Sequence, residues 1–153
     1  MSRPALEALR LQRAFVDSEA DRSAGPLRLQ LDLDELLHEA LSPERFAVSV
    51  GLTLELADPD SGDTFCELSA ELRLVYRGAP PDDLPAQRAF SVAWAVPEAW
   101  PVWRAWVQQT LALMGLPPAP LPPRVPDKLM MLGEEAFDLS RQVDERLAQR
   151  RSD

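Results

Sequence analysis

Arg45-Phe46-Ala47-Val48-Ser49-Val50-Gly51-Leu52-Thr53-Leu54-Glu55-Leu56 is the segment with the clearest strand pattern in the sequence. One series of side chains is apolar throughout: Phe46, Val48, Val50, Leu52, Leu54 and Leu56. The alternate series is small or polar. Because successive side chains of an extended chain point to opposite faces, this pattern predicts a long strand with one buried face.

A turn and a second strand follow directly. Residues 58–63 read DPDSGD, which is typical of a tight turn, and the next apolar series is Cys66, Leu68, Ala70, Leu72, Leu74 and Tyr76. The two series together predict a long hairpin. Asp58, Asp60 and Asp63 also resemble part of a calcium loop. The register and the closing glutamate of such a loop are missing, so we interpret these residues as a turn.

Two weaker extended segments precede the hairpin. Leu9, Leu11 and Phe15 share one parity and predict a half-buried strand. Residues 27–33 alternate leucine with polar residues and predict a second extended segment with one apolar edge. Residues 34–41 favour a short helical turn. A hydrophobic sheet face built from these segments needs a layer that covers it.

The second half of the chain supplies that layer. The series Phe90, Val92, Trp94 and Val96 indicates a fourth strand. Apolar residues then recur at three- and four-residue steps, which predicts a helix: Trp100, Trp103, Trp106, Val107, Leu111 and Met114. Residues 117–126 contain six prolines and predict an extended connector. A last helix is expected from about residue 127 to residue 150. We therefore expect one α+β domain over residues 1–153, a four-stranded antiparallel sheet with two C-terminal helices packed on one face.

Composition limits the classes of partner. The formal net charge of −9 repels phosphate backbones and anionic lipid, which argues against nucleic acid or a membrane surface as the main partner. A single cysteine excludes an intrachain disulfide and favours a reducing compartment. No signal-peptide segment or membrane-spanning run is visible, so a cytoplasmic location is expected.

No catalytic constellation is visible in the sequence. His38 is the only histidine, and Glu35 and Glu39 beside it do not complete a metal site, so we interpret it as a surface residue. Cys66 shares the parity of Leu68 and is interpreted as a small buried hydrophobe. These readings predict a protein that is not an enzyme and that needs no metal or cofactor.

Seven short stretches, in order, resemble the SecB family of export chaperones. The stretches are residues 11–16 (LQRAFV), 29–33 (LQLDL), 45–50 (RFAVSV), 64–68 (TFCEL), 100–104 (WPVWR), 115–123 (GLPPAPLPP) and 127–130 (DKLM). The sequence departs from the family pattern at residues 69–72 and at Val125-Pro126. The resemblance covers most of residues 9–132.

The resemblance implies a chaperone that holds unfolded polypeptides in long apolar grooves and assembles as a homotetramer, a dimer of dimers. Flexible methionines and exposed leucines would suit such a groove. Its candidate residues are Leu29, Leu31, Phe65, Leu68, Leu129, Met130 and Met131. For any single one of them, ordinary core packing is the competing interpretation and the more common one. The helix residues Trp100, Trp103, Trp106, Val107 and Leu111 are candidates for the oligomer interface.

The resemblance also implies an acidic patch that contacts a SecA-type translocase motor. Its candidate residues are Asp17, Glu19, Asp21, Glu67 and Glu71, for which a solvated sheet face is the competing interpretation. Three functions remain open: a general or export chaperone, a dedicated binding module such as an antitoxin-specific chaperone, and a small-molecule enzyme. The missing site chemistry disfavours the third.

Overall fold

A computed structural model describes residues 3–19, 28–130 and 149–151. Within these residues, four long strands form one antiparallel sheet: β1 Ala5–Ser18, β2 Arg28–Ser42, β3 Arg45–Ala57 and β4 Thr64–Arg77. The strand order across the sheet is β1-β4-β3-β2. The strands β1 and β2 are therefore the two edges. The α+β class predicted from the sequence is confirmed.

The β3–β4 hairpin is the centre of the sheet, as its alternation predicted. Val50 pairs with Leu72, Leu54 pairs with Leu68, and all four side chains are at most 1% exposed. The turn between the strands is closed by Asp58, whose Oδ1 accepts the amide of Asp60 at 2.8 Å. The prediction of a turn at residues 58–63 is confirmed.

Residues 34–41 are part of the strand β2, so the prediction of a helical turn there is wrong. This strand continues to Ser42, and its register against β3 shifts by one residue between Leu33 and Glu35. The extra residue is a β-bulge, so Leu33 and Leu36 both lie on the buried face. Residues 34–41 therefore belong to a bulged strand and not to a helical turn.

A second bulge changes the expected faces of β1. The register against β4 shifts between Leu11 and Arg13, so Leu11 pairs with Leu72 while Phe15 pairs with Ser69. Leu11 and Phe15 therefore lie on opposite faces of the sheet. Phe15 remains 55% exposed. The expectation that Leu9, Leu11 and Phe15 share one face is wrong.

The expected strand at residues 90–96 is helical. Helix α1 spans Leu84–Phe90, a π-helical turn spans Ser91–Ala95, and helix α2 spans Val96–Leu113. Asp83 caps α1, because its carboxylate accepts the amide of Ala86 at 2.8 Å. Phe90, Ser91, Ala95 and Val96 are the buried residues of this segment, whereas Trp94 is 40% exposed. The alternation of apolar residues therefore does not mark one buried face.

Helix α2 covers the apolar face of the sheet, as predicted. Trp100, Trp103, Val107 and Leu111 are at most 1% exposed. The helix ends at Gly115, which has a φ of +73°. The amide of Leu116 binds the carbonyl of Leu111 at 2.9 Å, completing a Schellman motif.

The proline-rich connector is held along α2 by side chains four residues apart. Trp100 Nε1 donates to the carbonyl of Pro122 at 3.0 Å, and Arg104 Nε donates to that of Leu121 at 3.1 Å. Gln108 binds both the carbonyl and the amide of Ala119. These bonds satisfy connector backbone groups that have no strand partner, and they bring a helix α3, described over residues 127–130, beside the start of β2.

Candidate functional site

The main candidate site is a pocket of about 490 Å³ between edge strand β2 and the start of α3. We call it the β2 groove, and its lining residues are Arg28, Leu29, Gln30, Leu31, Asp32, Pro126, Lys128 and Leu129. Leu29 and Leu31 are partly exposed, whereas Leu129 is 2% exposed and anchors α3 in the core. The groove therefore has an apolar wall on each side and polar side chains around it.

A smaller pocket of about 200 Å³ adjoins the β2 groove. It is lined by Leu29, Leu56, Leu111, Pro117, Pro118, Ala119 and Pro120. Leu29 lines both pockets, so the apolar surface continues from α3 toward the proline-rich connector. A continuous apolar surface of this kind can hold extended chains of many sequences, because it requires little specific polar geometry.

The structure brings together three of the residues that were predicted for the groove. Leu29, Leu31 and Leu129 line the β2 groove, and Met130 is partly buried against the core next to it. Met131 lies outside the described residues.

Two of the predicted groove residues are instead part of the core. Phe65 is 5% exposed and Leu68 is fully buried, so neither presents a surface to a client. Their apolar, alternating pattern is the same for core and groove, and the sequence alone does not distinguish the two. The sequence analysis missed five further lining residues: Arg28, Gln30, Asp32, Pro126 and Lys128.

The predicted oligomer residues also need correction. Trp100, Trp103, Val107 and Leu111 pack on the sheet of their own chain and are at most 1% exposed. Trp106 is half-buried and lies on the outer side of α2, where Val102 is 42% exposed.

A shallow apolar pocket of about 460 Å³ lies on this outer side. It is lined by Leu11, Leu72, Pro101, Val102, Trp103, Ala105, Trp106 and Gln109. The predicted stripe of tryptophans thus divides between the core and a surface shared by α2 and β1.

The predicted acidic patch is only partly assembled. Asp17 pairs with Glu67 across β1 and β4, and Glu67 pairs with Glu55 across β4 and β3. We call these three carboxylates the acidic row. Burial, followed by repulsion from Asp32 and Glu67, raises the pKa of Glu55. Because like charges directly opposite one another are unfavourable, a positively charged partner would stabilise the row.

The other predicted acidic residues lie apart from this row. Glu71 lies beside Arg13, at 3.9 Å between Oε2 and Nε. Glu19 is exposed just beyond the end of β1, and Asp21 lies outside the described residues. Glu55 is the member of the row that the sequence analysis missed, because cross-strand register is needed to place it.

The interpretation of His38 as a surface residue is wrong, because its side chain is largely buried. Its Nε2 forms a hydrogen bond with Ser91 Oγ, and burial lowers its pKa to about 4. Ser91 is fully buried, so no substrate can reach its hydroxyl as it stands.

Cys66 is 1% exposed, which confirms its interpretation as a buried hydrophobe. Burial raises the pKa of its thiol and thereby disfavours the reactive thiolate. Among the described residues, no group of three histidine, cysteine, aspartate or glutamate side chains is placed to hold a metal ion. In the same part of the chain, no helix is long and apolar enough to cross a membrane.

Comparison with known proteins identifies the fold. No family model matches the sequence, and no curated protein matches it either. Nine chains of solved structures match. One is a SecB-like chaperone of Mycobacterium tuberculosis in complex with a ChAD peptide from the HigA1 antitoxin. Its TM-score is 0.66 at 18% identity, over 81% of this chain and 92% of that one. The chain therefore has a SecB-like fold, in agreement with the resemblance seen in the sequence.

Proposed function

We propose that this protein is a molecular chaperone that binds unfolded polypeptide clients in the β2 groove. The observation that carries the proposal is an open apolar groove, between edge strand β2 and α3, in a fold shared with a chaperone solved with a bound peptide. Leu29 and Leu31 offer a client partly exposed apolar surface. A client side chain that packs against them needs no hydrogen bond to either leucine. Such a surface favours binding without strong sequence preference.

The groove is suited to reversible holding rather than to permanent capture. Burial of one leucine-sized client side chain contributes about 1.5–3 kcal/mol before the loss of chain entropy is counted. A pocket of about 490 Å³ accepts only a few such side chains. Tight binding of a long client therefore requires several grooves at once, which favours an oligomer.

We propose that oligomerisation uses the outer side of α2 together with β1. Leu11 and Val102 are more than 40% exposed and adjoin the partly buried Trp106. Exposed apolar groups clustered on one surface are typical of protein interfaces. A homotetramer in the cytosol would combine several β2 grooves in one particle.

The identity of the partners divides the proposal into two forms. A general or export chaperone would bind many clients, and the acidic row Asp17, Glu67 and Glu55 would contact a positively charged partner such as a translocase motor. A dedicated chaperone would serve one client. The antitoxin peptide bound to the neighbour of similar fold favours the second form.

Aggregation assays test the proposal. Two unrelated proteins are kept unfolded by reduction and alkylation of their cysteines, and their light scattering is followed with increasing amounts of this protein. A general chaperone suppresses the aggregation of both, and a dedicated one protects only polypeptides that co-purify with it. Failure to bind any unfolded polypeptide, including co-purifying ones, contradicts the chaperone function in both forms.

A further inference from the structure

Helix α1 is attached to the rest of the fold through a small contact area. Phe90 is the one residue of this helix that is buried, whereas Leu84 at its start is 41% exposed. The ring of Phe90 meets those of Phe46 and Tyr76, at 5.2 and 4.8 Å between centroids. Ser91 follows directly and is fully buried. We call residues 84–91 the α1 flap. A segment with so few buried side chains opens more easily than the core does.

The π turn that follows the flap is held by a separate set of contacts. The guanidinium of Arg3 lies over the ring of Trp94, with Cζ 3.7 Å from the centroid, and it pairs with Glu98. Glu98 also accepts a hydrogen bond from the hydroxyl of Tyr76 at 2.7 Å. These contacts hold the start of α2 without involving α1. The flap can therefore open at the π turn while α2 stays on the sheet.

A side-chain hydrogen bond joins the flap to the edge strand β2. It is formed by Nε2 of His38 with Oγ of Ser91, and the other ring nitrogen of His38 is shielded from solvent. The imidazole ring lies between the rings of Phe46 and Phe90. A proton on each nitrogen would place a charge in this apolar contact, which is unfavourable. A hydrogen bond with the backbone of Gln87 offsets only part of that cost.

The charged groups of the sheet near this contact are engaged elsewhere. Glu35 and Glu39 of β2 lie on the other face of the sheet, where Glu39 accepts a hydrogen bond from Arg73 of β4 at 2.9 Å. Arg45 of β3 donates to Glu7 at 3.1 Å. The sheet therefore supplies no counter-ion from these residues to a charged imidazole.

The charged groups on the helical side do not favour a charged imidazole either. The carboxylate of Asp83 accepts the amide of Ala86 at 2.8 Å, and that of Glu98 is bound as described above. Arg88 lies three residues before Ser91, one helical turn away. A proton on His38 therefore adds a second positive charge on this side of the flap.

We infer that protonation of His38 opens the α1 flap, so that mild acid releases residues 84–91 from the sheet while the remaining fold persists. In the open state the charged imidazole is hydrated, and Ser91 bonds with water instead. Opening uncovers the rings of Phe46 and Phe90. The inference does not rest on the proposed function. In a chaperone, this conformational change would add apolar surface for unfolded chains in acid.

Hydrogen exchange of the whole protein at pH 7 and pH 5 tests the inference, after correction for the intrinsic exchange rates of the amides. The pKa of His38 is about 4 in the closed flap and about 6.5 when the ring is hydrated. The open state therefore binds the proton at a higher pH, and opening becomes about 20-fold more favourable between pH 7 and pH 5. We expect the protection of residues 84–91 to fall by that factor and to stay at least about tenfold below that of the β3–β4 hairpin.

Two substitutions at neighbouring positions show whether His38 is responsible. His38→Gln keeps a hydrogen-bonding group beside Ser91 but does not take up a proton, so the protection of its flap is expected to change by less than about threefold between the two pH values. Glu39→Gln removes a titratable group on the other face and is expected to keep the full change.

Three results would overturn the inference. One is equal protection of the flap and of the β3–β4 hairpin in the wild type at pH 5, because the whole fold would then open as one unit. Another is a wild-type flap whose protection does not change with pH. The third is a pH response of His38→Gln that equals the wild-type response.

Discussion

His38 is placed where its charged form is disfavoured. Its ring stacks on Phe46 and meets the edge of Phe90, each at 6.4 Å between centroids. Burial lowers the pKa of His38 to about 4, against the opposing effect of a backbone hydrogen bond with Gln87. The pKa of His38 is higher in the unfolded chain than in the folded protein. As the pH falls, the unfolded chain therefore binds a proton at a higher pH than the folded protein does. Stability is therefore lost as the pH falls from about 6.5 toward 4.

A His38→Gln variant tests this linkage. The free energy of unfolding of the wild type is expected to fall between pH 7 and pH 5 by about 1–2 kcal/mol more than that of the variant. Urea unfolding followed by circular dichroism at both pH values measures the difference. The raised pKa values of Asp34, Glu35 and Glu55 act in the opposite direction but are common to both proteins. Parallel pH profiles would contradict the placement of His38.

Among the secondary-structure elements, the sequence predicts those with a regular apolar period. It does not predict the single residues inserted into strands or helices. The β3–β4 hairpin follows the alternation of apolar residues in the sequence, and α2 follows the helical spacing of its apolar residues. The errors in β1 and β2 each occur at a one-residue register shift, and the false strand occurs at the π turn. Such insertions are stabilised by tertiary contacts, as at the β2 bulge, where Asp34 accepts a hydrogen bond from Thr53 of the neighbouring strand.

The contact between α2 and the proline-rich connector can be tested by substitution. Gln108 forms two hydrogen bonds with the backbone of Ala119, at 2.7 and 3.0 Å. Gln108→Ala is expected to lower the free energy of unfolding by about 1–3 kcal/mol and to weaken peptide binding, because the connector positions α3 at the β2 groove. Leu113→Ala, at a position of the same helix that is 89% exposed and lines neither groove nor oligomer surface, serves as the control. Equal denaturation midpoints and affinities for the two variants would contradict this role.

At the scale of the whole molecule, the sequence predicted the fold better than the surfaces. Leu29, Leu31 and Leu129 line one pocket because they lie near the starts of two elements that the fold brings together, and their role in client binding stays a prediction. The tryptophans of α2 were assigned to an interface, but most of them cover their own sheet. An apolar stripe predicts that a helix face is buried. It does not predict whether the same chain or another copy covers that face.

Oligomerisation is tested by two matched substitutions. Val102→Asp introduces a charge on the exposed outer side of α2, whereas Leu37→Asp introduces one on the opposite face of the sheet, at a leucine that is 56% exposed. Light scattering at micromolar concentration is expected to give a tetramer mass for the wild type and Leu37→Asp, and a smaller mass for Val102→Asp. A monomeric wild type would contradict the proposed assembly.

Substitution of two leucines of β2 distinguishes client binding in the β2 groove from binding elsewhere on the protein. Leu31 lines the groove, whereas Leu37 of the same strand pairs with Ser49 on the other face. Fluorescence anisotropy with an unfolded, labelled polypeptide measures the affinity of Leu31→Ser and Leu37→Ser, with circular dichroism as the check on folding. We expect Leu31→Ser to bind about tenfold more weakly and Leu37→Ser to bind as the wild type does. Wild-type affinity in a folded Leu31→Ser variant would show that the client does not bind in the β2 groove.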